Sequence, residues 1–324
     1  MSKSAVSAHS RGILISVAIA LAAVLLHTWF SLNAILISLI LGIVKGNALK
    51  LPDSFNSGIK FSSGRFLEIA IILMAFGIDY GSFLQLGWET ILIVVVTMAV
   101  VLYMTLWLSK LMSCPSSAGL LVGFGTAICG STAIAALAPS VSKDRSDMGI
   151  AMAVVNLYGL IGMVLLPMLT STLLSNVQNS VLLGASLHSV GNVAGAGFSM
   201  SDTIGELAVT VKLCRVAMLT PALLLFTYFT RDTNEQSTSK RLSLPYYLVA
   251  FILISIAVSI FPLPDQLLTF TKQGSNFLLA VAMAATGLKV SFKTLLSSGK
   301  KGLVFGAILF AIQLAVIAGL MLLL

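Results

Sequence analysis

The chain has 324 residues, of which 58% are hydrophobic and 9% charged, with a mean hydropathy of +1.04. A soluble domain carries roughly 25% charged residues, so there is too little polar surface here to cover a globule in water. The formal charge of +8 does not point to nucleic acid, because the basic residues sit in short loops between apolar runs, where they set membrane topology.

A membrane-spanning helix needs about 20 mostly apolar residues. Eleven stretches meet or approach this, at 12–29, 32–45, 65–80, 88–110, 117–138, 147–173, 180–198, 205–229, 245–262, 273–289 and 302–324. The longest polar linker, residues 230–243, is read as cytoplasmic and leaves no room for a soluble domain. Backbone groups in lipid must bond within the chain, and the ten-residue alternation of a β-barrel is absent. The expected fold is therefore an all-α polytopic membrane protein, one domain over residues 1–324, with about 9–11 transmembrane segments.

Lys3 and Arg11 ahead of the apolar stretch Ile13–Leu26 resemble a signal peptide, but no small-x-small cleavage site clearly follows, so the stretch is read as an uncleaved first helix. These charges put the N-terminus in the cytoplasm, together with Lys45, Lys50, Lys60 and Arg65. Asp79 and Glu89 fall on the other side, and Arg231, Lys240, Arg241, Lys293, Lys300 and Lys301 return to the cytoplasm. Lys143 and Arg145 break this pattern if every segment crosses, and fit it if the fifth and seventh segments dip into the membrane and return.

The third segment carries Glu68 and begins a weak internal repeat: FLEIAIILMAFGIDYGSF (66–83) aligns with NFLLAVAMAATGLKVSF (276–292) on Gly77 and Gly287. Inverted repeats with interrupted helices mark secondary transporters. Chance likeness between apolar helices is the rival account.

The fifth segment reads GFGTAICGSTAIAALAP (123–139). Its glycines weaken an ordinary helix, and Gly-Ser-Thr at 130–132 is suited to start a half-helix with Ser131 or Thr132 as N-cap. A helix N-terminus at membrane depth presents free N–H groups and a positive dipole end to an anion. Close packing through small residues is the alternative. Thr126, Cys129 and Gly130 complete the candidate group here. The sixth segment has only Asn156 at depth, which weighs against simple Na⁺/H⁺ exchange.

The seventh segment, SLHSVGNVAGAG (186–197), holds His188, Ser189 and Asn192; His188 and Asn192 share a face if the chain is helical there. They serve either a substrate path, with His188 titratable near neutral pH, or a neighbouring helix. The eighth segment carries Lys212 and Arg215, the latter near mid-bilayer, where a cation costs at least about 2.5 kcal/mol. The pair lines an anion path or bonds a carboxylate, for which Glu68 is the candidate, and Lys212 is the easier of the two to snorkel. Pro139, Pro167 and Pro221 are expected to bend or end helices. Cys114, Cys129 and Cys214 are odd in number, fit no zinc spacing and are read as small apolar residues. No catalytic or phosphate-binding motif occurs, so the chain is not expected to be an enzyme or to hold a cofactor or metal.

In this order, GFGTAICGSTAIAALAP, SLHSVGNVAGAG, VKLCRVAMLTP and NFLLAVAMAATGLKVSF resemble the YeiH-type family of bacterial inner-membrane proteins, catalogued as sulfate exporters, from about Leu41 to the C-terminus. The family is grouped with the bile-acid, arsenite and cation/proton antiporter transporters. The resemblance implies inverted repeats, two broken helices crossing near the midplane, and a lining of Cys129, Gly130, Ser131, His188, Asn192, Lys212 and Arg215. The chain departs from the family pattern at Ser189 and Asn192, where an acid and a glutamine are common, and at Gly77-Ile78-Asp79, where Gly-x-Arg is common.

The expectation is a secondary carrier of a small anion of the sulfite, sulfate or organosulfonate class, elevator-like or rocking, coupled to H⁺ or Na⁺ and resident in the bacterial inner membrane. A cation-coupled carrier of another metabolite, a channel, and a membrane protein without flux are the rivals. Related transporters are often dimers, although no segment declares a homodimer interface.

Overall fold

A computed structural model describes residues 3–30, 33–48, 51–77, 87–112, 116–141, 145–230, 246–261, 263–290 and 300–324. Lys50, Asp79, Cys114, Lys143, Asp144, Arg231, Lys240, Arg241, Lys293, the Ser-Phe endings of both repeat motifs and nearly all of the linker 230–243 lie outside the described residues. The described chain is helical throughout, and the protein is a multi-pass membrane protein. Among the described residues four helices are long and apolar enough to cross a bilayer, at Ser10–His27, Gly87–Leu111, Asp147–Thr170 and Lys301–Leu323; a bent pair, taken as one span, makes a fifth. The other expected segments are shorter or more polar helices, among them Ala34–Ala48 and Tyr246–Val258.

The chain divides into two compact units. The first comprises Met1–Phe83 and Pro245–Phe292. It contains α1 (Lys3–Phe30), α2 (Ala34–Ala48), α3 (Asn56–Phe61), a π-helical turn at Ser62–Phe66, α4 (Leu67–Met74), α5 (Tyr246–Ile260) and α6 (Asp265–Lys289). Helices gain little hydrophobic drive from one another in lipid, so they associate through close backbone contact at small residues. That is how α2 meets α6: a Cβ on Gly42 would fall 2.4 Å from the Ala284 carbonyl oxygen, and one on Gly287 would fall 2.4 Å from that of Leu39. Gly77, aligned with Gly287 by sequence, has open space where its Cβ would be, so the two positions differ in packing. Glu68 is occupied by Arg65 at 3.1 Å and by the Tyr246 hydroxyl.

The second unit comprises Leu84–Leu244 and Lys293–Leu324. Its helices are α7 (Gly87–Leu111), α8 (Ser116–Ala127), α9 (Ser131–Val141), α10 (Arg145–Thr170), α11 (Asn176–Ser186), α12 (Val190–Met200), α13 (Asp202–Ala217), α14 (Leu219–Thr230) and α15 (Lys300–Leu323). Every candidate site residue falls in this unit. The eighth segment is two helices bent by 44° rather than one. Pro221 explains the break: it lacks an N–H, and its ring clashes with the carbonyl four residues back, at Ala217, where α13 stops. Pro139 and Pro167 instead sit inside α9 and α10, within three residues of their ends.

Candidate functional site

Two helices of the second unit are interrupted by three residues each. Between α8 and α9 the chain turns through Ile128, Cys129 and Gly130, and between α11 and α12 through Leu187, His188 and Ser189. Gly130 makes the first break with φ +71, a left-handed conformation that a glycine adopts without penalty. Its carbonyl accepts the first helical bond of α9, from the Ile134 N–H at 3.1 Å. The N-cap is therefore Gly130 and not Ser131 or Thr132 as sequence suggested: the left-handed turn needs the residue without a Cβ in that place. Gly130 brings no side chain to cap the N–H groups of Ser131 and Thr132, while the Ala133 N–H donates to the Cys129 sulfur. In the second break Ser189 is the N-cap, its Oγ accepting from the Asn192 N–H at 3.1 Å. His188 consequently precedes the helix and shares no helical face with Asn192.

The two breaks touch, since a Cβ on Gly130 would lie 3.2 Å from the His188 carbonyl oxygen. Each break leaves helix-end carbonyls without an intrahelical partner, deep in the protein. Arg215 and Lys212, three residues apart on α13, supply the missing donors. Arg215 Nη2 donates to the carbonyls of Thr126 at 2.8 Å and Ala127 at 2.7 Å; Nη1 donates to Ala185 at 2.6 Å, Leu187 at 3.2 Å and Gly184 at 3.4 Å. Lys212 Nζ bridges the carbonyls of Ile128 at 2.6 Å and Leu187 at 2.7 Å. The side chains are 1% and 0% exposed, so Lys212 does not snorkel, and both cations bind backbone carbonyls. A guanidinium presents a flat fork of five donors, which suits a cluster of carbonyls from two helix ends. The positive charges also face the negative ends of two helix dipoles.

The other candidates divide by exposure. Thr126, Cys129, Gly130, His188 and Asn192 are buried, Ser131 and Ser189 are half-buried and Thr132 is exposed. Ser131 Oγ donates to Asn156 Oδ1 on α10 at 3.1 Å. Asn192 crowds Gly159 on α10, where a Cβ would sit 2.1 Å from its Nδ2. His188 packs its ring 5.2 Å from that of Phe310 on α15, and its Nδ1 is buried with no hydrogen-bond partner. Among the described residues no three His, Cys, Asp or Glu gather to hold a metal ion.

Sequence reading missed Gln313. Its Nε2 donates to the Ala185 carbonyl at 2.9 Å and the Thr126 carbonyl at 3.5 Å, the same helix ends that Arg215 joins. The signal was present: Gln313 is a lone amide midway along an otherwise apolar run, 302–324.

A sequence model of the family described as Conserved hypothetical protein 698 matches residues 11–306. Similar chains include a UPF0324 membrane protein of Clostridium perfringens, 30% identical over 296 residues covering 88% of this chain and 86% of that one. A UPF0324 membrane protein of Wolinella succinogenes is 33% identical over 294 residues, covering 88% of each chain, and one of Helicobacter hepaticus is 31% identical over 322 residues, covering 89% of this chain and 93% of its own length. No solved structure matches.

Proposed function

This chain belongs to the Conserved hypothetical protein 698 family of bacterial membrane proteins, and on that premise we propose that it is a secondary active carrier of a small anion, of the sulfite, sulfate or organosulfonate class, and not an enzyme. The observation that carries this reading is the division of charge at the paired breaks. Counting about half a unit charge at each helix end, the two C-termini and two N-termini cancel, and Lys212 and Arg215, when both are protonated, leave about +2. Both cations are directed at the C-terminal carbonyls, which leaves the N-terminal ends of α9 and α12 as positive, donor-rich surfaces. The partners of Lys212 and Arg215 at the breaks are carbonyls, not carboxylates.

In this mechanism the anion's oxygens take the N–H groups of Ser131 and Thr132 and the hydroxyl of Thr132, the exposed member of the group. Ser131, held by Asn156, fixes the start of α9. All candidate residues lie in one compact unit, which supports a carrier in which that unit moves as a body with its substrate. The coupling ion in this proposal is H⁺ or Na⁺, and the location is the bacterial inner membrane. The test is flux of labelled sulfite, sulfate and methanesulfonate into proteoliposomes, with imposed pH and Na⁺ gradients. Uptake above empty liposomes that weakens in Thr132→Val supports the proposal; flux equal to the empty controls for every anion rejects it.

A further inference from the structure

Three polar atoms beside the breaks are buried and have no hydrogen-bond partner: Ser186 Oγ, His188 Nδ1 and Gln313 Oε1. Buried polar side-chain atoms are nearly always bonded, so three in one neighbourhood ask for a missing group. They share that neighbourhood through bonded or packed atoms. Gln313 donates to the carbonyl of Ala185, which Ser186 follows in the chain. His188 packs on Phe310, one turn before Gln313 on α15.

The chemistry of the missing group follows from Gln313. Its amide orientation is fixed, because the side facing the Ala185 and Thr126 carbonyls must be the nitrogen. Oε1 then faces elsewhere and can only accept. The charged and titratable groups packed around it do not serve it: Arg215 and Lys212 on α13 donate to carbonyls, the Tyr158 hydroxyl on α10 donates to Leu303, and Cys129 lies in the other break. Ser186 and His188 can each donate or accept. A ligand that completes the set must bring at least one hydrogen to Oε1 while offering oxygens to the other two.

We propose that Gln313, Ser186 and His188 form a subsite that selects oxyanions bearing an acidic hydrogen, such as hydrogen sulfite or bicarbonate, over oxyanions of equal charge that lack one. This rests on the anion-carrier reading and narrows its substrate class. An anion without an acidic hydrogen would place oxygen lone pairs against an amide oxygen and leave a buried acceptor unsatisfied. The carried proton then travels on the substrate itself.

Thermal-shift titration of the purified full-length protein tests this with pairs matched in charge: bicarbonate against nitrate, and hydrogen sulfite against methanesulfonate. One buried hydrogen bond made or missed is expected to favour the member of each pair that bears the acidic hydrogen by about tenfold in apparent affinity. Gln313→Met should bring both ratios to about one. Ser186→Ala removes one of the three atoms without breaking a hydrogen bond of the fold, so it keeps the test open if Gln313→Met does not fold, and it should narrow the ratios. Equal affinities within each pair, unchanged in Ser186→Ala, overturn the subsite and leave anion binding standing. No shift with any of the four anions overturns the anion-carrier reading as well.

Discussion

Removing the Arg215 side chain separates two roles for a buried cation, that of a strut and that of a ligand for substrate. In Arg215→Ala the carbonyls of Thr126, Ala127 and Ala185 lose donors at 2.8, 2.7 and 2.6 Å. Gln313 still reaches Ala185 at 2.9 Å and Thr126 at 3.5 Å, so Ala127 suffers most. Each buried acceptor left unpaired costs about 1–3 kcal/mol, and removal of a desolvated guanidinium returns several kcal/mol. The carbonyls are neutral, so no buried charge is stranded, and the balance expected is a destabilisation of about 1–3 kcal/mol. That is a large share of the about 5–15 kcal/mol by which a folded protein is ordinarily stable. The assay is unfolding of the detergent-solubilised protein in a rising fraction of denaturing surfactant, followed by intrinsic fluorescence. Arg215→Lys, with three donors in place of a fork, should fall between wild type and Arg215→Ala. An Arg215→Ala protein with an unchanged unfolding midpoint but no anion binding would refute the strut and make Arg215 a ligand.

Lys212→Met should destabilise by about half as much as Arg215→Ala, since it removes two hydrogen bonds to carbonyls rather than five, in the same unfolding assay. Gly130→Ala forces a side chain into a left-handed residue at about 1–2 kcal/mol and presses a Cβ to 3.2 Å from the His188 carbonyl oxygen; a midpoint equal to wild type would show that the turn relaxes. Gly287→Ala should strongly reduce the yield of folded protein, because its Cβ meets backbone at 2.4 Å, whereas Gly77→Ala, with open space, should be neutral by size-exclusion profile.

Membrane class, helical content and the stretch of chain that carries the breaks were legible because they depend on composition and on glycine. Gly130 with Ser131 and Thr132 after it marks an interruption in an apolar run. The partners of Lys212 and Arg215 were not legible. Sequence offers side chains as counter-ions, and Glu68 was the available one, yet the structure gives the cations backbone carbonyls and gives Glu68 to Arg65 and Tyr246. A carbonyl is present at every residue and so leaves no trace in a string of letters. Gln313 was missed for the opposite reason: a single amide in a long apolar run reads as noise until the helix ends it bonds are located.

The binding of Arg215 to main chain fixes an order of events during synthesis. The carbonyls of Thr126 and Ala127 are bonded by a residue 89 and 88 positions further on, and Gln313 reaches Thr126 from 187 positions away. When α8 and the first break leave the ribosome, neither donor has yet been made, and α8 enters its surroundings with its last carbonyls open. The paired break is thus closed only after α13 arrives, and it is completed by α15. A nascent chain arrested before Arg215 has α8, α9, α11 and α12 but no cation to bind their facing ends. Such a chain should be a favoured substrate for membrane quality control, and release a few residues beyond Arg215 should mark the point at which it gains protection.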